Sequence, residues 1–172
     1  RPDIVHFALL EALGSPLNKE GLLQTYVHTI NNYIIKVESE ARLPKNYNRF
    51  VSLMEQLFEL GKVPPNGPAL LKLEPKTLPQ LLREISPTRI VAFSRKGKPS
   101  TLEDVVAKLS GEKRPAVIIG GFPHGHFSAT TIQLADELVC IDEETLEAWT
   151  VTSRVIYEYE RAIFLPLKRL KH

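Results

Sequence analysis

Ala116-Val117-Ile118-Ile119-Gly120-Gly121-Phe122-Pro123-His124-Gly125-His126-Phe127 is the stretch on which the reading of this chain turns. An apolar run without a polar face empties into three glycines within six residues, the pattern of a fully buried strand that ends at a ligand loop. A residue without Cβ takes positive φ and lets a ligand lie directly on the backbone. This loop is therefore the first candidate for a cofactor site.

Outward from it, strand and helix patterns alternate. Segments 70–73, 90–93, 117–119 and 139–141 read as strands; segments 78–85, 102–109, 132–138 and 146–163 read as helices. Such alternation predicts an α/β fold with a mostly parallel sheet flanked by helices. In an open parallel sheet, ligands bind beyond the carboxyl ends of the strands, and loops 93–98, 120–126 and 142–145 lie at three such ends. Together they would enclose one pocket. The spacing of Gly120, Gly121 and Gly125 does not match the dinucleotide fingerprint, and no Gly-Lys-Ser or Gly-Lys-Thr follows a strand. A tight structural turn is the plainer alternative for the glycines.

The N-terminal half has a different texture. The apolar run 4–10 reads as a buried strand or the start of a buried helix, and Gly14-Ser15-Pro16 closes off that first element. Segments 22–29 and 33–37 flank Ile30-Asn31-Asn32 and predict a β-hairpin. Phe50, Leu53, Met54, Leu57 and Phe58 share one helical face, with Gly61 placed to end that helix. The proline-rich connector 63–68 excludes helix and central strand. Segment 146–163 carries Trp149, Val151, Val155, Ile156, Tyr157 and Tyr159 on more than one face, which calls for a second partner surface, with a subunit interface as the candidate.

With 172 residues the chain suits one domain, and no apolar run approaches the roughly 20 residues that span a bilayer. The opening residues, Arg1-Pro2-Asp3, do not read as a signal peptide, and the single cysteine, Cys140, excludes an internal disulfide framework and makes a reducing, intracellular setting the expectation. A net charge of +2 does not by itself announce a nucleic-acid binder. The charges do cluster at Arg42-Leu43-Pro44-Lys45-Asn46-Tyr47-Asn48-Arg49, with three cations and an aromatic in eight residues. Cations for phosphates, asparagines for base edges and a tyrosine for stacking suit an irregular RNA better than a duplex. The same residues would also make a solvated loop whose asparagine caps the next helix.

Arg1-Pro2-Asp3 is the third constellation. Its arginine suits a phosphate or base, and its carboxylate would orient that group or accept a proton; a surface ion pair is the alternative. His6, His28, His124 and His126 invite a metal reading, but no cysteine or carboxylate stands beside them at ligand spacing, so no metal site is expected. No nucleophile elbow is present, and Cys140 sits in an apolar strand where a thiol is normally inert.

Taken together, Arg1-Pro2-Asp3-Ile4-Val5-His6, Ser15-Pro16-Leu17-Asn18, Arg42-Leu43-Pro44 with Asn48-Arg49-Phe50, and the loop Gly120 to Gly125 resemble one family over essentially the whole chain. It is the ribosome-biogenesis pseudouridine-N1 methyltransferases of the SPOUT class, with the archaeal branch nearer. The resemblance implies a single SPOUT domain over 1–172, with 18–62 as an RNA-binding extension that carries the hairpin. It also implies a C-terminal trefoil knot holding S-adenosylmethionine, a homodimer, a cytoplasmic setting and no membrane contact. The cofactor residues it implies are Phe93, Gly120, Gly121, Gly125, Ile141, Asp142, Glu143, Glu144, Thr145 and Leu146. Small-subunit ribosomal RNA would meet Arg1, Arg42, Lys45 and Arg49, with Asp3 and Arg1 at the reacting base. Lys45 stands where an arginine is frequent, keeping charge but losing the planar fork. Family members carry a strand before Arg-Pro-Asp, so a further N-terminal segment is expected. A non-catalytic RNA-binding assembly factor, or a methyltransferase of another RNA nucleoside, are the rival readings.

Overall fold

The computed structural model describes residues 1–123 and 125–171; His124 of the glycine loop lies outside the described residues. The chain opens on a helix, α1 (Pro2–Gly14), so the strand reading of 4–10 is corrected. Pro2 sits in the first turn, where its missing N–H costs nothing, and Asp3 complements the positive end of the helix dipole. Leu9 packs among Ile35, Phe50, Leu57 and Leu71, whereas Ala12 packs among Val91, Val139 and Val155. A helix buried on two sides is apolar nearly all round, so its period of 3.6 is erased from the sequence.

After the short helix α2 (Pro16–Lys19), β1 (Thr25–His28) and β2 (Tyr33–Val37) pair antiparallel around a turn where Asn32 takes φ 58°. Helix α3 (Tyr47–Leu60) begins at Asn46, whose side-chain oxygen accepts from the Arg49 N–H, and ends at Gly61 in the left-handed region, φ 81°. Phe50 and Leu57 anchor it, 1% and 0% exposed, each side chain contributing about 2–3 kcal/mol by burial. Two further strands, β3 (Lys62–Val63) and β4 (Leu71–Pro75), complete an antiparallel sheet in the order β1-β2-β4-β3. Segment 70–73 therefore joins this sheet and not the parallel one, a second correction. Alternation along the chain does not report which edge a strand finds, and β4 follows the connector straight back onto β2.

Helix α4 (Leu78–Ile85), opened by a Thr77–Gln80 capping box, leads into the second unit. There β5 (Arg89–Pro99), α5 (Leu102–Leu109), β6 (Pro115–Ile118), α6 (Ala129–Leu134) and β7 (Glu137–Cys140) form a parallel three-stranded sheet, order β6-β5-β7, with flanking helices. Helices α7 (Ala148–Ala162) and α8 (Leu165–Leu170) close the chain. β6 is an edge strand, and Val117 is 37% exposed, so the expectation of full burial is corrected. Among the described strands it has a neighbour on one side only. The second apolar face of α7 is met by α1 and α5 within the chain, leaving Tyr157 outward at 55% exposure.

Segment 93–98, expected as a loop, lies inside β5. Val139 of β7 is the register partner of both Phe93 and Lys98, so residues 94–97 arch out of the ladder and return to it. Gly97 rests on the β7 backbone. A Cβ there would stand 2.5 Å from Leu138 C and Val139 N, atoms with no freedom to move aside. Asp136 joins the same strands from the other end, accepting from the Ile90 N–H at 2.7 Å and donating its own N–H to the Ile90 carbonyl at 2.8 Å. We expect Gly97→Ala to destabilise the protein by about 2–3 kcal/mol in urea unfolding, as overpacking against backbone does. A midpoint equal to that of the wild-type protein would contradict this close approach.

Candidate functional site

The carboxyl ends of β5, β6 and β7 fall at one edge of the parallel sheet, because Ala92 pairs with Ile118 and Phe93 with Val139. The arch 94–97 and the loops that follow β6 and β7 therefore lie at the same edge. Ile119, Ile141 and Leu146 all pack against the core cluster that contains Phe93 and Val139. Phe93 itself is 8% exposed with its side chain in that core, which leaves its backbone as the group a ligand could meet.

Within the glycine loop, Gly125 has φ 91°, a conformation that favours a residue without Cβ. Gly120 lies under the Phe122 ring, where a Cβ would come within 2.6 Å of the ring. Gly121 faces α1, its Cβ position 3.7 Å from Val5 Cγ2. In the third loop, Asp142 accepts from the Glu144 N–H at 2.9 Å and its carbonyl accepts from the Cys140 thiol at 3.1 Å. Glu143, Glu144 and Thr145 are exposed. A groove of 420 Å³ takes in Ile141 and Leu146 together with the α5 cap Thr101, Leu102 and Glu103 in the first turn of α5, and Arg154, Tyr157 and Glu158 on α7. None of the described residues of the glycine loop lines it. Sequence reasoning missed the α5 and α7 residues, whose spacing carried only a helix signal.

The two other constellations meet at the start of α1. Arg1 grips Asp3 with two parallel hydrogen bonds, Nε to Oδ1 at 2.9 Å and Nη2 to Oδ2 at 2.6 Å. Those bonds hold the Asp3 carboxyl down from 3.8 to about 2 and raise the Arg1 guanidinium further, with Tyr47 and Glu147 adding smaller contributions to the latter. Arg1 thus feels both the basic segment and the loop that precedes α7. One turn on, His6 reaches the Pro44 carbonyl in the middle of the basic segment, Nε2 to O at 2.6 Å. Phe7 meets Trp149 of α7 edge to face at 5.2 Å.

Arg42, Lys45 and Arg49 are exposed, and among the described residues none of them is paired with a carboxylate. Asn46 is occupied as the α3 cap, so one of the two asparagines offered for base edges has a structural duty. Unpaired cations beside a bidentate arginine–carboxylate pair suit a polyanion. Among the described residues no group of three or more histidines, cysteines or carboxylates could hold a metal ion. Among the described residues no helix is long and apolar enough to cross a membrane.

A parallel sheet with a glycine loop at its ligand edge, joined to an exposed basic segment, defines an α/β protein equipped for a small ligand and an anionic polymer. The family model described as EMG1/NEP1 methyltransferase matches residues 1–160, and the chain belongs to that family. It is 45% identical over 163 residues to the ribosomal RNA small subunit methyltransferase Nep1 of Thermococcus sibiricus, covering 95% of this chain and 72% of that one. The protein of the same name from Pyrococcus furiosus is 46% identical over 160 residues, covering 93% and 70%. The crystal structure of Archaeoglobus fulgidus Nep1 bound to S-adenosylhomocysteine superimposes with a TM-score of 0.80 at 38% identity, over 94% of this chain and 71% of that chain.

The Arg1–Asp3 pair gives a direct check. The Asp3 carboxyl should titrate near 2 by NMR in the wild-type protein and rise toward 3.8 in Arg1→Ala. The native carboxyl is the stronger acid, so its contribution to stability is complete above 3.8 and lost as pH falls through about 2. Because the pair is exposed, that contribution is small. An unchanged Asp3 titration in Arg1→Ala would refute the assignment.

Proposed function

We propose that this chain is an S-adenosylmethionine-dependent methyltransferase that modifies N1 of a pseudouridine in small-subunit ribosomal RNA during ribosome biogenesis. Its family supports the reaction class, the names of its relatives support the RNA, and the solved relative's S-adenosylhomocysteine supports the cofactor. The observation that carries the assignment to particular residues is the convergence of the sheet's ligand edge and the basic segment on the first two turns of α1.

The residues at that edge fit the cofactor. Gly120, Gly121 and Gly125 would lay backbone against it, Phe93 would contribute its strand-end backbone, and Ile141 and Leu146 would supply apolar walls. Asp142, Glu143, Glu144 and Thr145 would supply acceptors suited to a cationic ligand. When bound, S-adenosylmethionine supplies a methyl group on a positively charged sulfur, with the bonding pair returning to sulfur. Arg42, Lys45 and Arg49 hold the RNA backbone while the target base is turned out of its stack toward the sheet edge. Arg1 and Asp3 receive it. At neutral pH Asp3 is ionised and clamped by Arg1, so it orients the ring N–H more readily than it takes the proton. When an RNA phosphate or base oxygen draws Arg1 away, Asp3 loses its partner and gains basicity, which suits the moment the N1 proton must leave. The enzyme's contribution is chiefly positioning.

The same reading assigns one SPOUT domain to 1–172 with 18–62 as its RNA-binding extension. That extension falls within the antiparallel sheet, whose strand β4 lies just beyond it. The backbone contact of Gly97 with β7 and the double partnership of Val139 support a trefoil knot at this point. Tyr157 on α7 and the exposed Phe164, Leu167 and Leu170 at the chain's end support a homodimer. A cytoplasmic site of action follows from the RNA substrate.

Labelled methyl should pass from S-adenosylmethionine to a pseudouridine-containing hairpin and not to its uridine twin. Asp3→Asn should lower kcat by about 100-fold, and Arg49→Ala should raise KM for the RNA by about tenfold. Cofactor binding by calorimetry without any transfer would leave an RNA-binding assembly factor, and wild-type turnover in both variants would sink the role assignment.

A further inference from the structure

His6 is wholly buried, yet it is a titratable ring in a place where an apolar side chain would pack without cost. Its Nε2 lies 2.6 Å from the Pro44 carbonyl oxygen. A carbonyl only accepts, so Nε2 carries the proton and donates. Its other face stacks on Phe50, ring centroids 4.3 Å apart and planes 20° from parallel, and Tyr47 lies tilted at 5.9 Å. The remaining nitrogen, Nδ1, is buried with no partner among the described residues. Burying an unpaired polar atom is unfavourable, so packing alone does not account for an imidazole here.

What the ring does account for is placement. His6 is three residues after Asp3 on α1, on the same helical face one turn along. Pro44 lies between Arg42 and Lys45, and Phe50 directly follows Arg49. One side chain thus joins the helix that holds Arg1–Asp3 to the basic segment at two points, by a hydrogen bond to the residue before Lys45 and a stack on the residue after Arg49. The segment is also held by its own helix cap, by Leu43 packed on the core cluster and by the buried Ala41 and Phe50 at its two flanks, but none of these reaches the first turns of α1 through a hydrogen bond as the His6 ring does.

We propose that His6 is a positioning residue that sets the distance between the RNA-holding cations Arg42, Lys45 and Arg49 and the Arg1–Asp3 pair, through its bond to Pro44. This rests on the methyltransferase reading for the identity of the RNA, but the geometry itself is independent of it. His6→Phe keeps the stack and removes the donor. It should lower kcat/KM for the pseudouridine hairpin by about tenfold while leaving S-adenosylmethionine affinity at the wild-type level. His6→Gln, whose amide nitrogen reaches the Nε2 position, should restore most of the loss. Combined with Arg49→Ala, His6→Phe should add little, because both act on the same contact.

Wild-type kinetics in His6→Phe, an equal fall in cofactor affinity, or full additivity with Arg49→Ala would overturn the proposal. If His6→Phe does not fold, His6→Gln and His6→Asn at matched melting temperature decide it. Retention by glutamine and loss by asparagine supports the role, and equal behaviour of the two rejects it. Affinity for the unmodified hairpin by fluorescence anisotropy carries the same comparison if the wild-type protein transfers no methyl, so failure of the two readings is told apart.

Discussion

Everything else in the molecule leans on the burial of α1. The antiparallel sheet and the parallel sheet each form their own apolar cluster, and α1 contributes Leu9 to one and Ala12 to the other. Without that shared helix the two halves would be joined chiefly by the smaller cluster in which Leu78, Leu81 and Leu82 of α4 pack with Ile34 of β2 and with Ile90 and Ile118 of the parallel sheet. Each sheet alone would be marginal, because three or four short strands bury little. The helix is also the reason the chemistry can be assembled. Its first turn carries Arg1 and Asp3, its second touches the glycine loop through Val5 and the basic segment through His6, and Phe7 reaches α7. A rigid element that serves two cores is well suited to hold groups that must meet within fractions of an ångström.

Packing also decides which parts were legible in the residues. Helices α4 and α5 were readable to the residue because each shows one apolar face to the protein and begins at a threonine cap. Strand β2 and the Gly61 stop of α3 were equally plain, since β-branched residues and a left-handed glycine are local signals. Helix α1 was ambiguous because burial on two sides removes periodicity. The arch at 94–97 was invisible for another reason. It is defined by Val139, more than forty residues later, and no local pattern announces a partner at that distance. The candidate site divides in the same way. The glycine loop and the basic cluster stood out by composition, whereas the groove residues on α5 and α7 are ordinary helix-surface types that acquire meaning only from proximity.

Electrostatics separates the two charged features more sharply than the net charge of +2 does. Much of the surface charge is neutralised in pairs, among them Arg89 and Lys108 on Glu137, Lys72 and Lys76 on Glu74, and Arg169 on Glu20. Among the described residues the cations of segment 42–49 are left without a carboxylate partner, close to Arg1, which Asp3 clamps. A modest overall charge therefore conceals a local field directed at the start of α1, strong at low ionic strength and screened over a Debye length of about 8–10 Å in ordinary buffers.

The double partnership of Val139 bears on the order in which the molecule comes together. Residues 94–97 leave the ribosome some forty residues before β7 is made, so during synthesis the arch exists as an open bow with no ladder to close on. Strands β5 and β6 and helices α4 and α5 have neighbours in sequence and are free to organise early, while the last strand arrives at a place already shaped by the others. The loops that leave the sheet edge are thereby completed last, and the ligand end of the protein matures only when the C-terminal third has docked.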